Sequence, residues 1–468
     1  MIWVKHHLWK THIFACAILS ISVEALENGL ARTPPMGWSS WNLFEANIDE
    51  NLFRQMADAM VNTGMRDAGY TYLNLDDAWM ATSRDASGRL RADPVRFPSG
   101  IAALADYVHS RGLKLGIYGG RGTKTCLGWF PESGSRDSEE LDAQTFAAWG
   151  VDYLKYDNCF PQSDNVKFAN DSELQYRFQL MSNALLNSGR EIVFSISTRA
   201  FEGTWIVDTG NLWRTSEDIY PKWDVITNII DQNEALWGYA KPGAWNDPDM
   251  LEVGVERNGD ALTKNEARAH MSLWSIMTAP LIAGNDLRNM DSAERNILIN
   301  PEVIAVNQDA AGLQGYRVQD SGDLEVWRKH LGSANGGDKA VVLFNRSANR
   351  EKITVDWNAI GISGEAEVRD LWARRDRGIF KDSYTTNVPP HGVVMLKITG
   401  NSKPSDWTYC AVENHACTFS GTREVRFGAN NTFSYGTFSN GVKCSENNFA
   451  ETTPDARRYC QFKDGLPR

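Results

Sequence analysis

Acidic side chains recur in this chain at one kind of place, directly after short apolar runs of β-forming residues. YTYLNLDDAW ends in Asp76 and Asp77, and DYLKYDNC carries Lys155 and Asp157 two residues apart. LWRTSED supplies Arg214 and, four residues on, Asp218; AWNDPDML supplies Asp247 and Asp249; PLIAGND ends on Asp286. In an extended segment a spacing of two sends both side chains to the same face. Any single acid of this set reads equally well as the cap of a following helix. Five strand ends together point to one shared rim, where like charges repel and need cations, here Lys155 and Arg214. Two carboxyl groups across a cleft, with no Ser or Cys nucleophile motif, are the minimum for cleaving a glycosidic bond. One attacks the anomeric carbon and the other protonates the departing oxygen. Asp157 reads as the nucleophile because Lys155 favours its charged form, and Asp218 as the acid and base, on a loop open to proton exchange with solvent. HExxH, CxxC and paired-His spacings are absent from the sequence, so no tight metal site and no cofactor are expected. An acidic rim leaves two readings from other classes open, a divalent-metal enzyme and a non-catalytic carbohydrate-binding protein.

The elements that must position these residues follow from the alternation of short β-type runs with longer stretches of helical period. Strands are expected to begin near Met36, Tyr70, Lys114, Asp152, Glu191, Leu212, Ala244 and Pro280, with helices such as Asn51 to Ala68 and Ile101 to His109 between them. Eight such units make a (β/α)8 barrel over residues 26–313, an α/β fold that collects its chemistry at the carboxyl ends of its strands. A doubly wound open sheet shares the local pattern, but no glycine-rich phosphate loop follows the first strand. From residue 314 to 399 the runs LEVWRKH, KAVVLFNR, KITVDW, AEVRDLW and HGVVMLKI alternate as in an antiparallel β-sandwich. After the linker GNSKPSD, residues 405–468 form a small module whose Cys410, Cys417, Cys444 and Cys460 are expected to make two disulfides, in one of three connectivities. Its Trp407, Tyr435 and Phe438 read either as core or as a platform for polysaccharide.

The N-terminus has Lys5 and Lys10, an apolar run from Ile13 to Val23 and small residues ending near Ala25, the layout of a cleavable signal over residues 1–25. The run is too short to span a bilayer. A secreted or periplasmic protein is expected, with no membrane attachment after cleavage and Cys16 removed, leaving six Cys in an oxidising compartment. The sequons at Asn170, Asn345 and Asn430 would carry glycans only in a eukaryotic host. A formal charge of −11 without a basic run excludes a nucleic-acid partner.

The segments TPPMGWSSWN, YLNLDDAW, KLGIYGG, YLKYDNC, LWRTSEDI, WNDPDMLEVG, PLIAGNDLRNM and EVIAVNQDAAGLQG, in this order, resemble glycoside hydrolase family 27, the α-galactosidase family. The resemblance runs nearly continuously from about Gly29 to Gly400. It implies a retaining exo-glycosidase acting on α-galactoside oligosaccharides or polysaccharides, with Asp157 as nucleophile and Asp218 as acid and base. It also implies sugar contacts at Trp38, Asp76, Asp77, Tyr118, Cys126, Lys155, Arg214, Asp249 and Met250, and a disulfide between Cys126 and Cys159. Asp76 and Asp77 would accept from O4 and O6 of galactose; an equatorial O4, as in glucose, would strand a buried carboxylate at a cost of about 1 to 3 kcal/mol. Trp38 reads as a wall for the apolar side of the ring or as core packing. One departure bears on specificity. Where relatives carry Cys-Glu-Trp after the fifth strand, this chain has FSISTRAFEG, and one ungapped alignment matches Ser197 and Ala200 to the small residues that admit a 2-acetamido group in α-N-acetylgalactosaminidases. A β-L-arabinopyranosidase is the other alternative within the family. YGGRGTKTC also departs from the pattern, and its Arg121 reads either as a solvated loop charge or as a group reaching the aglycone.

Overall fold

A computed structural model describes residues 25–128, 130–160, 173–333, 336–403, 407–430, 432–450 and 458–463. The expected signal segment through Glu24, Cys16 with it, and the Asn170 sequon lie outside the described residues. Eight short strands make one parallel sheet: β1 Met36–Ser39, β2 Tyr72–Asn74, β3 Lys114–Gly120, β4 Tyr153–Asp157, β5 Val193–Ser197, β6 Leu212–Arg214, β7 Trp245–Asp247 and β8 Leu281–Ala283. Their order is β8-β1-β2-β3-β4-β5-β6-β7. A parallel bridge from Leu251, just past β7, to Ala283 of β8 closes the ring. Six longer helices wrap it: α1 Glu50–Asn62, α2 Gly100–Ser110, α3 Glu139–Ala148, α4 Leu174–Asn187, α5 Trp223–Glu234 and α6 Lys264–Ile276.

Local chemistry sets the element ends. Asp49 caps α1 by accepting from the Leu52 N–H, and the helix buries Leu52, Phe53, Met56, Ala57, Ala59 and Met60 on one stripe. It stops at Asn62, short of the Ala68 expected from its period. The Thr63 hydroxyl turns back onto the Ala59 carbonyl, and Gly64 takes a left-handed conformation (φ +81°). Thr263 and Glu266 form a reciprocal capping box at the start of α6.

The second layer packs on the barrel through β9 Tyr316–Ser321, β10 Leu324–His330, β11 Asp338–Asn345, β12 Glu351–Asp356, β13 Ile362–Asp370, β14 Arg375–Lys381, β15 Ser383–Val388 and β16 Gly392–Ser402. Six strands pair in the order β9-β10-β11-β16-β13-β14, and β12 with β15. The two sheets enclose Val341, Leu343, Ile353, Val355, Trp357, Leu396 and Ile398. Arg317 of β9 is buried against Asp231 and Glu234 of α5 and against Asp320 and Glu325, at 2.6–3.1 Å, and Arg346 joins the same group through Asp231 and Glu325 at 2.7 Å.

The last sheet contains β17 Trp407–Val412, β19 Thr422–Ala429, β20 Thr432–Ser439 and β22 Tyr459–Lys463, in the order β17-β22-β19-β20; β18 Ala416–Cys417 pairs with β21 Val442–Lys443. Disulfides join Cys410 to Cys417 and Cys444 to Cys460. One face of this sheet packs Ala411, Val425 and Phe427 against Phe449 in a small core. From the other face Tyr409 reaches into the sandwich, its ring 4.2 Å from Tyr316 and 4.8 Å from Trp237. The Asn430 side chain exchanges two hydrogen bonds with the Asp320 backbone. Phe438 packs on Phe449 inside the module, so it is core and not platform; Tyr435 is 57% exposed beside Trp407.

Candidate active site

A cavity of about 170 Å³ opens at the carboxyl ends of the barrel strands. Asp76 and Asp77 enter it after β2, Tyr118 from β3, Lys155 and Asp157 from β4, Ser197 from β5, Arg214 and Asp218 from and after β6, and Asp249 after β7. The β3 and β4 registers place Tyr118 directly opposite Lys155. Lys155 Nζ donates to Asp76 Oδ2 at 2.8 Å. Tyr118 Oη donates to Asp157 Oδ2 at 2.9 Å, while the Asn158 N–H donates to Asp157 Oδ1 at 2.8 Å. Arg214 Nη2 lies 3.2 Å from Asp218 Oδ1 and 2.9 Å from Asp249 Oδ2. Asp249 holds a left-handed backbone (φ +80°), a strain costing about 1 to 3 kcal/mol that Arg214 and the Ile219 N–H offset by fixing its carboxylate.

Cys126 and Cys159 are joined in a disulfide at the cavity wall. Their sulfurs and the Asp157 carboxylate lie within 4.8 Å of one another, but sulfurs bonded to each other are not thiolate ligands. The neighbouring Leu127 N–H donates to Asp77 Oδ2 at 3.0 Å, so the bridge fixes the loops around two acids.

Burial dominates the electrostatics. It pushes the Asp157 carboxyl above the usual range despite Lys155 and the hydrogen bonds from Asn158 and Tyr118. Lys155 therefore does favour the charged form, as expected, but burial outweighs it. Burial also acts on Asp218, yet Arg214, Lys155 and Arg199 overcome it and hold that carboxyl low. Asp77 and Asp247 are each pushed up to about 6 by burial. Burial opposes the charge on Lys155, and Asp76, Asp157 and Asp249 together keep it protonated. The Asp218 charge is among those that raise Asp157.

Several expected positions lie elsewhere. Trp38 is fully buried, donates its indole N–H to the Asn285 carbonyl and packs on Phe44 and Phe53; it is core, and Trp41 lines the cavity instead. Met250 is also buried off the wall, with its methyl group close to Gly284. Asp247 sits behind the rim and accepts from the Asp249 N–H. Asp286 belongs to a local turn, bound by Arg288 and Asn289. Arg121 is not solvated: it is fully buried, donates to Asn158 Oδ1 and lies over Phe178. Ala200 is exposed and absent from the wall, whereas Thr198 and Arg199 line it. Asn42, Tyr220 and Arg257 also line the cavity, and no strand-end signal marked them.

An acid-lined cavity at the mouth of a (β/α)8 barrel, with two carboxyls in each other's field and cations among them, is the site of a barrel glycosidase. Comparison narrows the class. A family model described as alpha galactosidase A matches residues 33–309, and one described as the alpha galactosidase C-terminal beta sandwich domain matches residues 321–398. The chain belongs to glycoside hydrolase family 27, the α-galactosidase family. It is 48% identical to alpha-galactosidase 2 of Arabidopsis thaliana over 80% of this chain and 91% of that protein. Alpha-galactosidase I of Mortierella vinacea superposes with a TM-score of 0.75 at 36% identity, over 81% of this chain and all of that one. Other specificities occur among the relatives: an alpha-N-acetylgalactosaminidase of Gallus gallus is 41% identical over 79% of this chain and 94% of that protein. A family 27 β-L-arabinopyranosidase of Geobacillus stearothermophilus has a TM-score of 0.70 at 27% identity, over 80% of this chain and 98% of that one.

Proposed function

We propose that this protein hydrolyses terminal α-galactosidic bonds by double displacement, with Asp157 as nucleophile and Asp218 as acid and base. The observation that carries the reading is the enclosed cavity in which these two carboxyls interact, ringed by Asp76, Asp77, Lys155, Arg214 and Asp249. A cavity of this size accepts one sugar ring, which makes the cleavage exo. Asp157 attacks C1 as the C1–O bond breaks, and the departing oxygen takes the proton of Asp218. Water then adds to C1, gives a proton back to Asp218 and releases Asp157 from the ester. Asp76 and Asp77 accept from the O4 and O6 hydroxyls, Lys155 donates to a hydroxyl and Arg214 presents its fork near O2. Turnover requires one proton shared by the pair, and the working form keeps it on Asp218.

Asp157→Asn and Asp218→Asn each abolish turnover on this reading, and azide separates their roles. The nucleophile variant gives the β-galactosyl azide from an activated aryl galactoside, and the acid/base variant gives the α-anomer. Normal activity in either variant ends the assignment. Of the two positions behind the 2-acetamido reading, Ser197 lines the wall and Ala200 does not, and Ser197 carries it as the second reading. Comparing kcat/KM on nitrophenyl α-galactoside, its 2-acetamido analogue and the β-L-arabinopyranoside decides between the specificities. Three disulfides support an oxidising location, the periplasm or the medium. The exposed Tyr435, beside Trp407, supports polysaccharide retention by the last module. Tyr435→Ala then lowers pull-down on galactomannan without changing hydrolysis of aryl galactosides, and unchanged pull-down removes that role.

A further inference from the structure

Arg199 lies on the loop after β5, and it lines the cavity. Its Nη1 is 2.5 Å from Glu217 Oε2, and its Nη2 is 3.8 Å from Asp218 Oδ2. The other oxygen of Asp218 faces Arg214, whose own charge is shared with Asp249. The two arginines differ in exposure. The Arg214 side chain is 5% exposed, whereas those of Arg199 and Glu217 are 46% and 67% exposed, at the mouth where the leaving group must depart.

We infer that Arg199 and Glu217 form a charge-balancing pair that governs how readily Asp218 takes up and gives away the proton used in bond cleavage. The inference rests on the acid/base reading of Asp218. A general acid must be protonated before it can act, and each cation beside it favours the ionised form. Around Asp218 stand Arg214 from β6, which also holds Asp249 from the end of β7, Lys155 and Asp157 from β4, and Arg199 from the β5 loop with Glu217 on it. The three that act directly to ionise it are cations. Glu217 is the group that draws one of them aside: it holds Arg199 in a short ion pair, leaving the guanidinium at 3.8 Å rather than in contact with Asp218. Arg199 is thus a positioning residue, acting on the reaction through Asp218.

On the alkaline flank of the pH profile the free enzyme has lost both protons of the pair. There kcat/KM is proportional to the affinity of Asp218 for a proton while Asp157 is ionised, whichever carboxyl holds the proton at the optimum. A cation about 4 Å away in water-like surroundings shifts a carboxyl by roughly half a pH unit or somewhat more. Arg199→Gln therefore raises kcat/KM on the alkaline flank by about threefold for a galactosyl disaccharide, whose leaving oxygen needs protonation. Glu217→Gln lowers it by a similar factor, because it removes an anion and releases Arg199 toward Asp218. Arg199→Lys keeps the charge and restores most of the wild-type flank. The ratio of disaccharide to dinitrophenyl galactoside activity moves with the variants, since a dinitrophenolate departs without a proton.

The controls are the wild type and Asp218→Asn. An active wild type with an inactive Asp218→Asn, combined with alkaline flanks unmoved in both pair variants, overturns the inference while leaving the assignment of Asp218 intact. Flanks that move in the same direction, or a uniform loss at every pH, overturn it as well. Full disaccharide activity in Asp218→Asn instead defeats the parent reading.

Discussion

Tyr118→Phe removes one oxygen from the site and nothing else. Tyr118 is buried, its ring is held on β3, and its hydroxyl makes a 2.9 Å hydrogen bond to Asp157 Oδ2. Oδ1 keeps its bond from the Asn158 N–H, and Lys155 keeps its charge nearby, so the carboxylate loses one of its supports. A hydrogen bond to a charged group is worth about 1.5 to 3 kcal/mol, and each pH unit corresponds to about 1.4 kcal/mol, so the Asp157 carboxyl rises by roughly one to two units from an already raised position. On the acid flank, kcat/KM is proportional to the ionisation of Asp157 with Asp218 protonated, and it falls by about ten- to a hundredfold. On the alkaline flank the rate is set by Asp218 and stays near wild type. The assay is a pH series of kcat/KM on an aryl α-galactoside, with circular dichroism to show that the fold is retained. Equal losses on both flanks, or an unmoved acid flank, would refute the reasoning, because neither outcome follows from a change in one carboxyl.

Three further outcomes are expected. Glu252 is fully buried, accepts from the Asn42 amide and is pushed up to about 8 by burial, so the native state binds its proton more tightly than the unfolded chain. Its contribution is therefore complete at low pH and lost as pH rises from about 4.5 through 8: relative to Glu252→Gln, wild type loses about 1.4 kcal/mol of stability per pH unit in that window, read by denaturant unfolding. Parallel pH curves for the two proteins would exclude this. Arg317→Met leaves Glu234 and Asp320 without the cation they share and lowers stability by about 3 to 5 kcal/mol, several degrees in thermal unfolding, where Arg66→Ala, at a half-buried position paired with the exposed Asp67, costs far less. Opening the Cys126–Cys159 bridge by the double Ser variant removes about 3 to 4 kcal/mol in the chain-entropy model and frees the Leu127 N–H from Asp77, so the KM for α-galactosides rises more than unfolding alone explains; unchanged KM counts against that coupling.

The barrel was legible because each strand is a short apolar run followed by polar residues, and the structure begins all eight within two residues of the expected positions. β1 shows the limit of that reading. All four of its residues are buried, so no alternation tells which tryptophan of WSSWN faces the cavity, and Trp41 rather than Trp38 does so. The acid pattern brought four strand ends to one cavity, but Asp286 was caught by Arg288 two residues away, a local contact with the same sequence signature. Arg121 and Arg257 illustrate the opposite failure. Such a charge carries no mark in the sequence of the distant group it meets, Asn158 for Arg121 and the Tyr220 ring for Arg257. β14 was missed because it is an exposed, charged edge strand without an apolar period. The tail connectivity, open in the sequence, resolves into two bridges between near neighbours, Cys410 with Cys417 and Cys444 with Cys460.

The way the last sheet is fastened has a consequence for substrates larger than a single branch. Tyr409 and Asn430 grip the sandwich, and Arg317 grips α5, so Tyr435 and the cavity keep a constant separation, as the jaws of a caliper do. A swinging tether would help every polymer a little. If Tyr435 retains polysaccharide as proposed, a fixed gap favours chains whose galactose branches recur at the matching interval, a criterion that no disaccharide assay registers.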